Sequence, residues 1–390
     1  MQLKIKLNHP GTADGTYTVK AKGYIMAILY WANEDGILPD WTAFAYLPIS
    51  AGGMGIFKYT GGRAIPKKAS CVLARGISAD FSEISECITE IPKHFQITEK
   101  TDIVKFAIMS DLHITNKPGR FVRALKKIRE IEPDVLLLPG DLVNDGKPEQ
   151  FALFWKHLSD QMQGISICCA TGNHDYPFYP IPQILDGICN YPILQSRILE
   201  WNQQLGNFVE EDKSGACAVQ IGKVDIITLN AVSHWRRFIF PNDAQLEWLK
   251  QHLDTNDSDW HIILCHAPLL RHNPQRRFGY KEPYLSRDGQ LQDIIDANKH
   301  VIFVSGHTHI SPNIPCGCVE FDTVRGNFYV NDGSFCPNDL KEYEPLMLTE
   351  WADGNLMELQ ISSNHIQITS ILLHSGKKIA RGYYALQTNQ

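Results

Sequence analysis

The sequence predicts an α/β protein in which central β-sheets are flanked by helices, with a β-rich domain at the N-terminus. Three observations lead to this prediction. Residues 1–100 carry short apolar and aromatic runs separated by glycine-rich turns. From residue 105 the pattern changes to apolar strand, polar loop and helix, repeated along the chain. Asp, Asn and His follow the ends of several apolar runs, where open α/β sheets place their functional residues.

The first hundred residues show a pattern of strands and turns. Apolar runs lie at residues 1–7, 24–30, 41–47 and 70–75. Short strands with glycine-rich turns are typical of a small β-sandwich. We therefore predict a β-rich domain at residues 1–100, with a linker over residues 91–101.

The remainder, residues 101–390, is predicted to form the second domain. Strands are expected at residues 106–109, 135–138, 165–169, 224–229, 261–264 and 301–304. Apolar residues at helical spacing and capping residues predict helices at residues 120–130, 149–161, 242–252 and 289–298. The tail alternates as antiparallel strands do, at residues 356–362, 366–373 and 379–386.

Five polar motifs follow the predicted strands of this second domain. They are Ser110-Asp111-Leu112-His113, Gly140-Asp141, Thr171-Gly172-Asn173-His174-Asp175, Cys265-His266 and Gly306-His307-Thr308-His309. Any one of them is a weak signal, because Asn, Asp and His are common in turns for ordinary hydrogen-bonding reasons. The carboxyl ends of parallel strands meet at one edge of a sheet, so we expect the five motifs to share one cleft.

This ordered set, spread over residues 103–332, resembles the calcineurin-like metallophosphoesterases. The resemblance implies an αββα sandwich that holds two divalent or trivalent transition-metal ions. Oxygen ligands mixed with imidazoles suit iron, manganese or zinc. The resemblance assigns Asp111, His113, Asp141 and His309 to one ion, and Asp141, Asn173, His266 and His307 to the other. Asp141 is the natural shared ligand, since a carboxylate offers two oxygens.

Two further residues of the third motif have roles implied by the resemblance. His174 is expected to reach the phosphoryl group or the leaving oxygen. Asp175 either orients the His174 ring or serves as a turn cap. The run after Asp141 has no Arg, whereas phosphoprotein phosphatases carry a phosphate-binding Arg there, and Asn144 stands where purple acid phosphatases carry an iron-binding Tyr. The motifs are therefore more similar to those of the bacterial phosphodiesterase and small-phosphatase branch.

Composition limits the alternatives. The formal net charge is -6, which argues against a nucleic-acid partner or an anionic membrane surface. No apolar run approaches the length of a membrane span, and residues 1–7 do not resemble a secretory signal. Ten cysteines are scattered without a disulfide rhythm, so we expect reduced thiols and a cytoplasmic protein. Cys316 and Cys318 are predicted to lie in a loop without metal.

The predicted function is hydrolysis of a small phosphomonoester or phosphodiester by a metal-activated water. A nuclease of the same fold and a non-catalytic, metal-binding interaction scaffold are the alternatives. Specificity is expected in the loops at residues 176–207, 233–241 and 271–278. The substrate, the identity of the metals and the oligomeric state stay open at this point.

Overall fold

The computed structural model describes residues 2–8, 15–38, 45–49, 53–59, 69–78, 84–90, 104–176, 191–234, 237–310, 319–322, 324–335, 354–362, 365–373, 376 and 378–385. The chain divides into two compact units. The first contains Met1–Ile103 and Glu358–Gln390, and the second contains Val104–Met357. The sequence-based division at residue 100, with the whole tail in the second domain, stays a prediction.

The N-terminal part of the first unit consists of two antiparallel β-sheets. Three strands form one of them, β1 (Gln2–Asn8), β2 (Gly15–Lys22) and β6 (Met54–Tyr59). Five form the other, β3 (Met26–Asn33), β4 (Gly36–Ile37), β5 (Ala45–Pro48), β7 (Cys71–Ile77) and β8 (Ile84–Glu90). Val19 of β2 belongs to the same buried cluster as Trp31 of β3 and Val72 of β7. The two sheets therefore share one apolar core, as a sandwich does.

The C-terminal tail forms three strands, as its alternating sequence predicts. These are β21 (Asn355–Ser362), β22 (His365–Leu372) and β23 (Lys378–Ala385). β22 pairs antiparallel with β23, with a register shift between Ile368 and Thr369.

The second unit begins with a parallel sheet segment. Its strands are β9 (Val104–Ile108), β10 (Val135–Leu138) and β11 (Ser166–Cys169), and β10 pairs with the other two. The accompanying helices are α1 (Gly119–Ile131), α2 (Pro148–Gln161) and α3 (Tyr191–Gln204). Phe121 of α1 stacks on Phe154 of α2, with ring centroids 5.5 Å apart. Every residue of β10 and β11 is buried, as expected for parallel strands covered on both faces.

A seven-stranded sheet completes the second unit. Its strands are β12 (Phe208–Glu211), β13 (Cys217–Ile221), β14 (Val224–Thr228), β17 (Trp260–Leu264), β18 (Val301–Ser305), β20 (Asn327–Asn331) and β19 (Val319–Asp322), in that order across the sheet. β14, β17, β18 and β20 run parallel, and Ile226, Ile262, Ile302 and Phe328 form one row across them. Two helices, α4 (Ala244–Thr255) and α5 (Asp288–Ala297), contribute to the same apolar core.

Shorter elements complete this unit. β15 (Val232–His234) and β16 (Arg237–Ile239) form a hairpin after β14, and 3₁₀-helices cover Leu270–His272 and Pro274–Phe278.

The predicted α/β class is confirmed, with five α-helices in the described residues. None of these helices has the length and apolar character to cross a membrane. The six cysteines among the described residues are free thiols; Cys316 and Cys318 lie outside those residues.

Candidate metal centre

The predicted motifs converge where the parallel strands of the second unit end. One cluster contains Asp111 and His113 after β9, Asp141 after β10 and His309 after β18. One side-chain ligand atom from each of the four lies within 4.8 Å of the others. His309 Nε2 is 2.8 Å from Asp111 Oδ1 and 3.4 Å from His113 Nε2. We call this group the first cluster.

A second cluster consists of Asp141, His266 and His307, with ligand atoms again within 4.8 Å of one another. His266 follows β17 and His307 follows β18. His266 Nε2 lies 3.3 Å from Asp141 Oδ2. Asp141 is thus the one residue that both clusters contain. The family resemblance assigns Asn173 to the same ion as this cluster, and its neighbours Gly172 and His174 both lie against Asp141.

Two buried polar atoms in and next to the second cluster, His266 Nε2 and Asn173 Oδ1, make no hydrogen bond among the described residues. The other nitrogen of His266, Nδ1, lies 2.8 Å from the Pro139 carbonyl oxygen. A carbonyl can only accept, so Nδ1 donates to it, and Nε2 is the nitrogen that faces Asp141. Burial opposes the charge of His266, but the charges of Asp141 and Asp111 raise its pKa to about 9, so a metal ion that binds Nε2 would displace a proton. A buried acceptor such as Asn173 Oδ1 is costly without a donor, and a cation beside it removes that cost. The donor set therefore fits a metal ion, and its mixture of imidazole, carboxylate and amide oxygen suits a transition metal.

The backbone at these positions is unusual. Among the described residues, seven that are not glycine have φ between +45° and +66°. Five of the seven are predicted ligands, Asp111, His113, Asp141, His307 and His309. Such conformations cost of order 1–3 kcal/mol each and concentrate at functional sites. The strain thus coincides with the residues that the sequence singles out.

Two glycines allow the ligand side chains to approach one another. A Cβ at Gly172 would lie less than 3.0 Å from Asp141 Oδ1 and the Asp141 backbone nitrogen. A Cβ at Gly306 would collide with Ser110 Oγ and Asp111 Oδ2 in the same way. No side chain fits at either position, which explains why glycine precedes Asn173 and His307.

Burial and charge together set the protonation of the site. Burial opposes ionisation of Asp111, but His309 and His266 lower its pKa to about 2. Burial and the charge of His266 lower the pKa of His307 to about 3. Burial lowers the pKa of His113 as well. Ionised Asp111 and neutral imidazoles at His113 and His307 are the protonation states that bind cations.

His174 is held beside the clusters through its backbone and its ring. The His174 backbone N–H donates to Asp141 Oδ1 at 2.7 Å. Its ring nitrogen Nδ1 donates to the Asn144 carbonyl oxygen at 2.9 Å. The ring also meets that of His113 edge to face, with centroids 4.4 Å apart. The His174 ring is therefore oriented by a backbone carbonyl.

The Asp175 carboxylate accepts hydrogen bonds from two backbone N–H groups. Its Oδ2 accepts the Gly172 N–H at 2.8 Å, and its Oδ1 accepts the Val143 N–H at 3.0 Å. The contact with Gly172 is of the kind that a turn cap makes, and the carbonyl of Asn144 lies at His174 Nδ1. The choice between the two predicted roles of Asp175 stays a prediction. Burial raises the pKa of Asp175 to about 8.

Further residues, none of them predicted as a ligand, surround the site. Ser110 Oγ contacts a carboxylate oxygen of Asp111 and lies 2.7 Å from Asp332 Oδ1. Phe238, in the predicted specificity segment at residues 233–241, packs its ring 5.0 Å from that of His307. Tyr284 meets the His307 ring at 4.4 Å. Of the other predicted specificity loops, residues 177–190 lie outside the described part of the chain.

The second unit of the chain is similar to a known protein family. A family model described as calcineurin-like phosphoesterase matches residues 104–311, just over half of the 390 residues. This chain belongs to the calcineurin-like phosphoesterase family. The resemblance inferred from the five motifs is thereby confirmed.

Individual relatives are more distant. A Moraxella catarrhalis protein named "Probable cyclic nucleotide phosphodiesterase" is 27% identical over 183 residues, which cover 41% of this chain and 65% of that protein. The chain thus spans less than two thirds of this relative's length. A purple acid phosphatase from seeds of yellow lupin (Lupinus luteus) is 15% identical with a TM-score of 0.47, covering 97% of this chain and 74% of its own. PhoD, whose structure is known, is 10% identical with a TM-score of 0.42, and the match covers 99% of this chain and 92% of the PhoD chain.

Proposed function

We propose that this calcineurin-like phosphoesterase is a dinuclear metal-dependent enzyme that hydrolyses a small phosphodiester. One observation carries the proposal, the two clusters of potential ligands that share Asp141. A shared carboxylate with imidazoles on both sides offers ligand atoms to a pair of cations. Asn173 Oδ1, a buried acceptor with no hydrogen bond among the described residues, supports the second position.

The residues divide into two ligand sets. Asp111, His113, Asp141 and His309 would hold one ion, and Asp141, Asn173, His266 and His307 the other. When bound, the ions supply Lewis acidity at phosphorus and lower the pKa of a water that attacks it. Iron, manganese and zinc all suit this donor set. The protein holds these side chains in place through the left-handed backbone and the glycines described above.

His174 is the proposed proton donor to the leaving oxygen. Its Nδ1 proton is committed to the Asn144 carbonyl, so Nε2 is the nitrogen that can carry a transferable proton. His174 therefore has a fixed orientation and one nitrogen for acid catalysis.

A phosphodiester is preferred as substrate because of the relative named as a cyclic nucleotide phosphodiesterase. A general nuclease is less favoured, since a formal net charge of -6 gives no broad attraction for a polyanion. A non-catalytic scaffold is also disfavoured, because the chain has His174 and all the predicted ligands. We accordingly propose cyclic nucleotides as the first substrates to examine.

The test is a panel of cyclic nucleotides, linear phosphodiesters and phosphomonoesters, assayed with added Mn²⁺. We expect turnover of diesters to exceed that of monoesters, and to be abolished by a chelator and by Asp141→Asn. A preference for monoesters would replace the phosphodiesterase proposal with a phosphatase. If Mn²⁺ binds and no ester in the panel is hydrolysed, the scaffold alternative gains and the enzymatic proposal fails.

A further inference from the structure

Asn331 is a buried amide at the carboxyl end of β20, and it reaches the loop that carries two predicted ligands. Its Nδ2 donates to the Gly306 carbonyl at 2.7 Å and to Ser305 Oγ at 3.2 Å. Its Oδ1 accepts the Thr308 hydroxyl at 2.6 Å. Only 3% of Asn331 is exposed. One side chain thus bonds the residue before His307 and the residue between His307 and His309.

The contacted loop needs such support. His307 and His309 both have left-handed φ, 66° and 52°, a conformation that is unfavourable for residues other than glycine. Thr308 between them is buried, and its hydroxyl also accepts the Ile310 N–H at 3.3 Å. A strained turn persists only where surrounding contacts determine it. The amide of Asn331 supplies both a donor and an acceptor to this turn.

We propose that Asn331 is a positioning residue that holds His307 and His309 in the geometry for metal binding. Its amide fixes the Gly306–Thr308 turn, and each histidine belongs to a different cluster. Loss of the amide should therefore weaken binding at both positions. This inference rests on the proposed function, since it takes the two histidines to be ligands.

The chain offers a matched control on the same strand. Asn327, at the start of β20, is also buried and makes three side-chain hydrogen bonds. Its Oδ1 accepts the Val301 N–H, and its Nδ2 donates to the carbonyls of Ile295 and Asn298. None of these partners is a predicted ligand or a neighbour of one. Asn327→Asp thus changes an equally buried amide while leaving the ligand turn untouched.

The experiment measures Mn²⁺ binding to metal-stripped full-length protein by equilibrium dialysis, with thermal unfolding in parallel. In Asn331→Asp a carboxylate oxygen faces the Gly306 carbonyl, and we expect Mn²⁺ affinity to fall about tenfold or more relative to Asn327→Asp. Both variants should lose thermal stability. Equal Mn²⁺ affinities in Asn331→Asp and Asn327→Asp would overturn the positioning role.

A milder pair of variants covers the case in which Asn331→Asp does not fold. Thr308→Val removes the hydroxyl that bonds Asn331, whereas Thr308→Ser keeps it. We expect Mn²⁺ affinity to fall in Thr308→Val and to match the wild type in Thr308→Ser, and equal affinities in the two would refute the inference. A wild-type protein that binds no Mn²⁺ would instead refute the proposed metal centre, and the positioning role with it.

Discussion

His174 provides the sharpest prediction, because its role depends on the leaving group. A positioned general acid contributes about 10²–10⁴-fold to the rate, which corresponds to about 3–5 kcal/mol of barrier at 1.36 kcal/mol per decade. His174→Ala should therefore lower kcat by about that factor for esters with poor alkyl leaving groups. The loss should shrink for aryl esters, which leave without a proton. Metal content should stay unchanged, since the His174 backbone N–H, which bonds Asp141, survives the substitution.

The measurement is a series of esters graded by leaving-group pKa, assayed with wild type, His174→Ala and His174→Asn. Asn can place an amide donor where Nδ1 donates to the Asn144 carbonyl, yet it has no proton to transfer. We expect His174→Asn to behave as His174→Ala does. A rate loss that is equal across the series would refute proton donation and indicate electrostatic stabilisation of the phosphoryl oxygens. No loss in either variant would remove His174 from the mechanism.

Two further predictions concern packing and pH. Gly172→Ala should displace Asp141, destabilise the fold by about 1–3 kcal/mol and reduce the metal content found by elemental analysis. The control Gly289→Ala, which has open space around its Cβ, should keep the wild-type stability and metal content. Equal stability and metal content in the two variants would refute the close approach of Gly172 to Asp141. Burial opposes the charge of His252, but its hydrogen bond to Asp225 and the charge of Asp225 raise its pKa. This stabilisation is complete below about pH 6.5 and is lost as pH rises through the raised value. In urea unfolding at graded pH, the stability advantage over His252→Gln should shrink as pH rises; an advantage that grows would contradict it.

Much of the second unit could be predicted from the sequence because the relevant signals are local. Apolar runs predicted the strands, and the polar motifs after these runs carried the family resemblance that assigned the ligand candidates. The helix predicted at residues 149–161 is found at Pro148–Gln161. The helix predicted at residues 120–130 spans Gly119–Ile131. These agreements reflect apolar periodicity and turn chemistry, which need no knowledge of distant contacts.

The supporting contacts could not be predicted, for physical reasons that differ from case to case. Asn144 holds His174 with a backbone carbonyl, which every residue possesses and no motif marks. Asn331 lies on a separate strand from the turn that it supports, and only the pairing of β18 with β20 brings them together. The sequence does not show which backbone N–H groups donate to the Asp175 carboxylate, and Val143 is distant from it in the chain. Such contacts are set by tertiary structure.

The central claim is that Asp141 is shared by two metal ions. Elemental analysis of metal-supplied wild-type protein should find close to two transition-metal ions per chain, and Asp141→Asn should hold at most one. Asp225→Asn is the matched control, because Asp225 is an equally buried carboxylate flanked by His252 and His261 and lies outside both clusters. It should keep the wild-type metal content. At most one ion in the wild type, with Asp141→Asn unchanged, would contradict the account.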